Sequence, residues 1–325
     1  MNGRILALIA AVVLAGASFI GQAKDAEPYP TKPIKLIVPT TPGSPPDLVA
    51  RVIGEKLAPA FGQPVLVENR PGTGGIIGLE AVVKSAPDGY TLGVIAMPYI
   101  VSPSLVAHMP YDIERDLAPI TLVNWHFPIF VVPAGSSARS VADLVTLAKA
   151  KPGALKFSSG GNGTPPHLAG ELLKRAAGVD ITHIPYKGAP AGVTGLLGGD
   201  VDMMIGARGA LSPHIKSGKL RALATAAPRR IAAYPDLPTL VELGYNGVEI
   251  SDWQGIVAPA GTPGELIARL HAEIVKAIAM PDVNQRFEGF GMEAAGAGPA
   301  EFRTHIRSEL RKWSKLVRDA GIKAD

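Results

Sequence analysis

Apolar residues along this chain fall into two recurring patterns that alternate, a short dense run and a longer stripe at helical spacing. The runs "PIKLIVP", "PVLVENR" and "DGYTLGVIA" have the length and content of buried strands. Between them, "PPDLVARVIGEKLAPAF", stopped by Gly62, and "GGIIGLEAVVKSA" return apolar residues every three to four positions and predict helices. After "ITLVNWHFPIFVVP" the alternation starts again. It runs through helix "SVADLVTLAKAKPG", strand "LKFSSG", helix "TPPHLAGELLKRAAG", strand "ITHIPYKG", helix "APAGVTGLLGGD", strand "VDMMIGA", short helix "LSPHIKSGKL" and strand "LRALATAA". Two series of strand-helix-strand predict an α/β fold with two doubly wound α/β domains and parallel sheets.

The remainder adds "VEISDWQGIVAPAGTP" and two long helices. In "PGELIARLHAEIVKAI", Thr262 is expected to cap, with Pro263 at the first helical position and Glu265 completing a capping box. Ser140 and Asp143 have the same spacing. In the last helix, Phe302, Ile306, Leu310, Trp313 and Val317 share one face. No Gly/Ser-rich linker separates the series, so continuous strands must carry the chain between domains. The two candidates are "TLVNWHFPIF" and "VEISDWQGIVAP". The expected division is 29–124 plus 253–325 for one domain and 125–252 for the other. Two crossings describe a hinged clam, with a ligand cleft at the carboxyl ends of the strands.

Composition changes this picture mainly at the N-terminus. Arg4 followed by "ILALIAAVVLAG" and small residues at Gly21 and Ala23 reads as a signal peptide over residues 1–23, cleaved after Ala23, with an uncleaved anchor as the alternative. The chain has no cysteine, which excludes disulfides, thiolate chemistry and a lipoprotein anchor. An exported, disulfide-free protein without a stable membrane anchor fits a bacterial periplasm. Lys and Arg number 32 against 28 Asp and Glu, and the basic residues are scattered. No phosphate-tracking stripe is present, so nucleic acid is not an expected partner.

The common enzyme signatures are missing. There is no G-x-S-x-G, no H-E-x-x-H and no P-loop, and "GTGGIIG" places its third glycine, Gly78, one position late for a dinucleotide fingerprint. No cofactor and no metal site are expected. Three strand-to-helix loops do share a character: "TTPGSPPD", "RPGTGGIIG" and "SSGGNGTPPH" each combine glycines with hydroxyls before a helix. One such loop alone is an ordinary tight turn with a helix cap. Three in matching positions favour an anion-binding cleft served by helix N-termini.

Several residues have two readings. Ser44 and Asp47 have capping-box spacing, and Asp47 stands four before Arg51 as in a helix-surface pair. An acid suits a bare carboxylate ligand poorly, so Asp47 is expected to brace its loop first. His167 and Glu171 are four apart, but with no third ligand in view they read as helix-surface residues. Arg208, after "VDMMIGA", is either a carboxylate clamp or a surface Arg at a helix start. Trp125 and Trp253 lie in the crossing segments and read as hinge packing.

The stretches "YPTKPIKLIVPTTPGSPPDLVARVIGEKL", "FGQPVLVENRPGTGGIIGLEAVVKSAPDGYTL", "FSSGGNGTPPHLAGELLKRAAGVDITHIPYKG", "YPDLPTLVELGY" and "WQGIVAPAGTP" carry a resemblance. From Tyr29 onward the chain resembles the substrate-binding proteins of tripartite tricarboxylate transporters, the Bug family. The resemblance implies a periplasmic binding protein that closes on a small organic carboxylate and delivers it to a membrane permease of one large and one small subunit. No catalysis is expected, and the protein is expected to be a monomer. The resemblance also implies that loop amides, hydroxyls and waters hold the ligand. On this chain those positions are Thr40, Thr41, Gly43, Ser44 and Asp47 in the first loop, and Thr73, Gly75 and Ile76 in the second. In the third loop they are Ser158, Ser159, Gly160, Gly163 and Thr164, joined by Ala189, Ala207 and Arg208.

The chain departs from the family pattern at Thr40, Gly43-Ser44, Ile76 and Ala207-Arg208. Ile76 adds apolar surface and Arg208 a cation, which points to an aromatic or aliphatic dicarboxylate. Two other readings stay open: a ligand sensor for a signalling partner, and a hydrolase on a similar fold, for which no nucleophile–base pair is evident.

Overall fold

The computed structural model describes residues 29–106 and 108–320; the expected signal segment lies outside them. The first strand, β1 (Ile34–Val38), is apolar at nearly every position because it is covered on both faces. It pairs in parallel with β2 (Val65–Asn69) and β3 (Thr91–Ala96). The crossover helices are α1 (Pro45–Phe61), ended by Gly62 in the left-handed conformation, and α2 (Ile76–Val83). α3 (Met97–Leu105) follows β3 directly and was not expected, since Pro98 and Pro103 interrupt its pattern. A short α4 (Ile113–Asp116) leads into the long β4 (Leu117–His126).

At Phe127 the chain leaves the larger sheet, and β5 (Pro128–Pro133) belongs to a second one. β5 is buried on both faces: Phe130 and Val132 join one apolar cluster, Ile129 and Val131 another, as the two-residue period requires. There follow α5 (Val141–Ala150), β6 (Lys156–Ser159), α6 (Pro165–Ala177), β7 (Thr182–Pro185), α7 (Ala189–Gly198), β8 (Met203–Ala207), α8 (Arg208–Lys216) and β9 (Leu220–Thr225). The smaller sheet has the order β7-β6-β8-β5-β9. The chain returns through residues 226–251 to β10 (Asp252–Pro259). It closes with α9 (Gly264–Ile278), α10 (Pro281–Gly289), β11 (Met292–Ala297) and α11 (Pro299–Ala320). The larger sheet has the order β11-β4-β10-β3-β1-β2.

The fold class is therefore α/β with two sheets joined by two chain crossings, and the sheets are mixed where parallel ones were expected. The pairs β1–β2, β1–β3, β6–β7 and β6–β8 are parallel, while β5 runs antiparallel to β8 and β9, and β11 to β4. β10 re-enters the larger sheet on its return from the smaller one, and runs antiparallel to both β3 and β4. Three local expectations also change. Ser44 and Asp47 form no capping box, because the Ser44 side chain makes no cap bond. Thr262 does not cap α9 but donates to Pro259 O, and Pro263 stands at the cap position with the helix starting at Gly264. The helix after β8 starts at Arg208, earlier than the expected Leu211.

On α11, Phe302, Ile306, Trp313 and Val317 are buried as the spacing predicts, and Glu309 is buried beside them. Its carboxylate accepts from Trp313 Nε1 at 2.7 Å, so the acid is paired within the helix's apolar face.

Candidate functional site

The carboxyl ends of β1, β2, β3, β6 and β8 open onto one cavity of about 600 Å³ between the two sheets. Hydroxyl and glycine residues dominate two of its sides. Thr40, Thr41, Ser44, Thr73, Gly75 and Ser102 stand on the larger-sheet side, and Gly160, Asn162, Gly163, Thr164, Ala189 and Ala207 on the other. Tyr99, Leu105 and Met204 give it an apolar belt.

The loops that open α1 and α6 are built alike. Gly43-Ser44-Pro45-Pro46-Asp47-Leu48 matches Gly163-Thr164-Pro165-Pro166-His167-Leu168. In each, two prolines occupy the first helical turn, where their missing N–H costs nothing. The next side chain folds back onto the glycine amide: Gly43 N donates to Asp47 Oδ2 at 2.8 Å, and Gly163 N to His167 Nδ1 at 3.0 Å. Amides expected to face a ligand are therefore absent or already paired. What remains at each helix start is a hydroxyl, Ser44 or Thr164, together with the positive end of the helix dipole. Ser44 Oγ is bonded to Thr40 Oγ1, and Thr164 Oγ1 donates to Gly161 O at 2.7 Å.

Asp47 braces its loop, as expected, though from a buried position at 1% exposure. Its carboxylate accepts from Gly43 N, from Arg51 Nε at 2.9 Å and from Asn69 Nδ2 at 2.9 Å. Asn69 also donates to Thr40 O, tying the end of β2 to the same loop. Burial alone would push the Asp47 carboxyl up; the bonds from Arg51, Gly43 and Asn69 outweigh it and hold the group below the usual carboxylate range. His167 is buried as well, stacked on His183 with ring centroids 4.0 Å apart, and is not the helix-surface residue its spacing with Glu171 suggested. Glu171 pairs with Lys174 at 2.9 Å.

The turn before α2, Thr73–Gly75, needs its glycines. Gly74 and Gly75 have φ of +61° and +93°, and a Cβ on Gly75 would lie 2.4 Å from the Tyr99 ring. Only glycine lets this turn lie against Tyr99. Ser102 Oγ bonds Gly74 O at 3.3 Å and holds the turn to α3. Burial pushes the Tyr99 hydroxyl up, so it remains a neutral phenol at any ordinary pH.

The third side of the cavity comes from β4 and β10. Antiparallel register places Asp252 opposite His126, Trp253 opposite Trp125 and Gln254 opposite Asn124. Alternation puts His126, Asp252 and Gln254 on the cavity. It turns Trp253 the other way, onto Phe302 and His305 of α11 at centroid distances of 5.5 and 5.0 Å. His126 Nε2 is in close contact with Asp252 Oδ2, Asp252 Oδ1 accepts from Trp253 N at 2.8 Å, and Asn124 Nδ2 donates to Gln254 Oε1 at 2.7 Å.

Of the sixteen positions taken from the family resemblance, Thr40, Thr41, Ser44, Thr73, Gly75, Gly160, Gly163, Thr164, Ala189 and Ala207 line the cavity. Gly43, Asp47, Ile76, Ser158, Ser159 and Arg208 do not. Asp47 and Ser159 lie behind the loops: Ser159 Oγ accepts from Gly161 N at 3.2 Å. Arg208 is buried, with its guanidinium bonded to Met292 O at 3.5 Å. Tyr99, Ser102, Leu105, Asn162, His126, Asp252 and Gln254 line the cavity without having been expected. Among the described residues no group of three or more metal-ligating side chains occurs, and no helix is long and apolar enough to cross a membrane.

Three comparisons bear on this site. The model of the tripartite tricarboxylate transporter family receptor matches residues 49–322. Protein BugT of Bordetella pertussis is 37% identical over 322 residues, spanning 98% of both chains. A protein encoded between tcbD and tcbE in Pseudomonas sp. strain P51 is 36% identical over 98% of this chain and 95% of its own. Among solved structures, the periplasmic binding protein BugD has a TM-score of 0.77 at 31% identity, covering 91% of this chain and 100% of BugD. Rpa4515 of R. palustris, solved with adipate, has 0.80 at 32%, covering 91% and 99%. MatC of Rhodopseudomonas palustris, with bound malate, has 0.76 at 28%, covering 89% and 100%.

Proposed function

Because this chain belongs to the tripartite tricarboxylate transporter receptor family, whose members are periplasmic solute-binding proteins and not enzymes, we propose that its cavity captures a small organic carboxylate for delivery to a tripartite membrane permease. The observation that carries this reading is the cavity itself. It faces the starts of α1, α2, α6 and α7, is rich in hydroxyls, and has no Lys or Arg among its described lining residues. Helix dipoles and neutral hydroxyls can hold a carboxylate without a cationic partner. Two relatives of the same fold were solved with carboxylates, adipate and malate, which supports the ligand class.

Closure supplies the mechanism. Each sheet with its helices acts as one lobe, and the ligand bridges hydroxyls from both. It stabilises the closed arrangement by its differential affinity for the two states. Only the two passages of chain, at Phe127 and 226–251, must flex. The protein works as an exported, monomeric receptor in the periplasm, with the permease as its partner. The dicarboxylate expectation drew on Ile76 and Arg208; neither lines the cavity, the Arg208 guanidinium is directed at Met292 O, and the described lining residues offer no Lys or Arg to a second carboxylate.

A thermal-shift screen of carboxylates, alcohols and amines of matched length tests the reading. A carboxylate present at about a hundred times its Kd is expected to stabilise the protein by ~2.7 kcal/mol, and the corresponding alcohol or amine without a carboxylate by nothing measurable. Stabilisation that ignores the carboxylate would contradict it.

A further inference from the structure

Among the described residues lining the cavity there is one carboxylate, Asp252, one imidazole, His126, and no Lys, Arg or Glu. A carboxylate in a site for carboxylates needs a reason. Asp252 is not a stray surface acid, since it is 6% exposed and His126 is 5% exposed. Nor is it free to turn away. One oxygen accepts from Trp253 N and the other is held against His126 Nε2, while the antiparallel register fixes both residues directly across from each other. An ionised carboxylate has room for about four hydrogen bonds and donates none. Trp253 N takes one of those places and His126 Nε2 lies against the other oxygen, which leaves Asp252 with room to accept from a ligand. Beside it, the Gln254 carbonyl oxygen already accepts from Asn124.

The hydroxyl-lined helix starts and the β4–β10 side thus differ in chemistry. The first favours negative charge. The second presents a fixed hydrogen-bond acceptor to whatever reaches it and would repel a second carboxylate.

We infer that Asp252, positioned by His126, is the specificity-determining residue of this cavity, and that it selects carboxylates carrying a hydrogen-bond donor, a hydroxyl or an ammonium, away from their carboxylate. This inference rests on the carboxylate reading of the cavity and narrows it: plain dicarboxylates and unsubstituted monocarboxylates are the disfavoured classes. Leu105, Met204 and Tyr99 accommodate the carbon skeleton between the two polar ends.

The test is calorimetric titration of the full chain with two matched series. One is hexanoate, adipate, 6-hydroxyhexanoate and 6-aminohexanoate; the other is butyrate, succinate, 4-hydroxybutyrate and 4-aminobutyrate. In at least one series the hydroxy or amino acid is expected to bind ten times or more tightly than both its plain acid and its diacid. The hydroxy and amino members together tell which donor is preferred. Asp252→Asn keeps the size and removes the charge, and is expected to cut that preference at least tenfold while the diacid binds no worse. The wild-type series stands on its own if the variant does not fold. Diacids binding as well as or better than the donor-bearing acids, or a donor preference untouched in a folded Asp252→Asn protein, would overturn the inference and leave the carboxylate reading intact. Failure of every carboxylate to bind would overturn the carboxylate reading, and this inference with it.

Discussion

Replacing Asp47 by Ala is expected to lower the melting temperature at pH 7 by roughly 3–5 °C and to weaken ligand binding through the loop it braces, although it does not line the cavity. The carboxylate is 1% exposed and holds three donors, Gly43 N, Arg51 Nε and Asn69 Nδ2. Removing it orphans the glycine amide and the Asn69 amide in a part-buried loop. Arg51 is half exposed and turns to water, so the loss stays below that of a fully buried ion pair. Bonds to a charged group contribute about 1.5–3 kcal/mol each, and with re-solvation of Arg51 a net loss of about 2–3 kcal/mol follows.

The pH dependence has a definite sign. The folded carboxyl is held below its usual value, so its contribution is complete above the unfolded pKa, about 3.9. It is lost as the pH falls through the folded value. The gap between wild type and Asp47→Ala should therefore be full at pH 7 and shrink below about pH 4. Melting curves across that range check it; a gap that persists unchanged at pH 3 would refute the brace.

Trp253→Ala is expected to cost about 3–5 kcal/mol and roughly 5–8 °C in melting temperature. The side chain is fully buried against Phe302 and His305, on the opposite face of β10 from Asp252 and Gln254. Its loss opens a cavity directly beneath the residues that line the binding site. Among the described residues Trp253 Nε1 has no hydrogen-bond partner, so part of the indole's burial is unfavourable. Trp253→Phe keeps much of the apolar contact and removes that donor. It should therefore lose well under half of what the Ala variant loses. Equal losses for Phe and Ala would place the stabilisation in the indole nitrogen instead of in packing.

The sequence made some of these elements legible and hid others for physical reasons. The loop before α1 stood out because an apolar strand breaks into Ser-Pro-Pro-Asp and then an amphipathic stripe. Those residue types fix a helix start whatever surrounds them. What they could not reveal is that the prolines and Asp47 withdraw the amides, leaving hydroxyls to face the cavity. α3 was hidden by Pro98 and Pro103, which read as breaks, and with it went Tyr99, Ser102 and Leu105.

His126 and Asp252 were hidden by distance. Each is a polar residue near the end of an apolar strand, a position that local pattern assigns to solvent. Only the pairing of β4 with β10, across more than a hundred residues of chain, puts them side by side and under cover. Arg208 had two readings, a carboxylate clamp or a surface Arg at a helix start; α8 does start at that residue, but the side chain is buried and directed at Met292 O.

The proposed function requires a carboxylate in the cavity between the two sheets, held by hydroxyls at helix starts. A crystal structure of the protein with its tightest-binding carboxylate tests this most directly. The ligand's carboxylate is expected within hydrogen-bond reach of hydroxyls from both sides, Thr40, Thr41, Ser44 or Thr73 on one and Thr164 on the other, with no Lys or Arg side chain in contact. A ligand carboxylate bound elsewhere, for instance beside Arg175, Lys312 and Lys315 on the surface pocket those residues line, would contradict it.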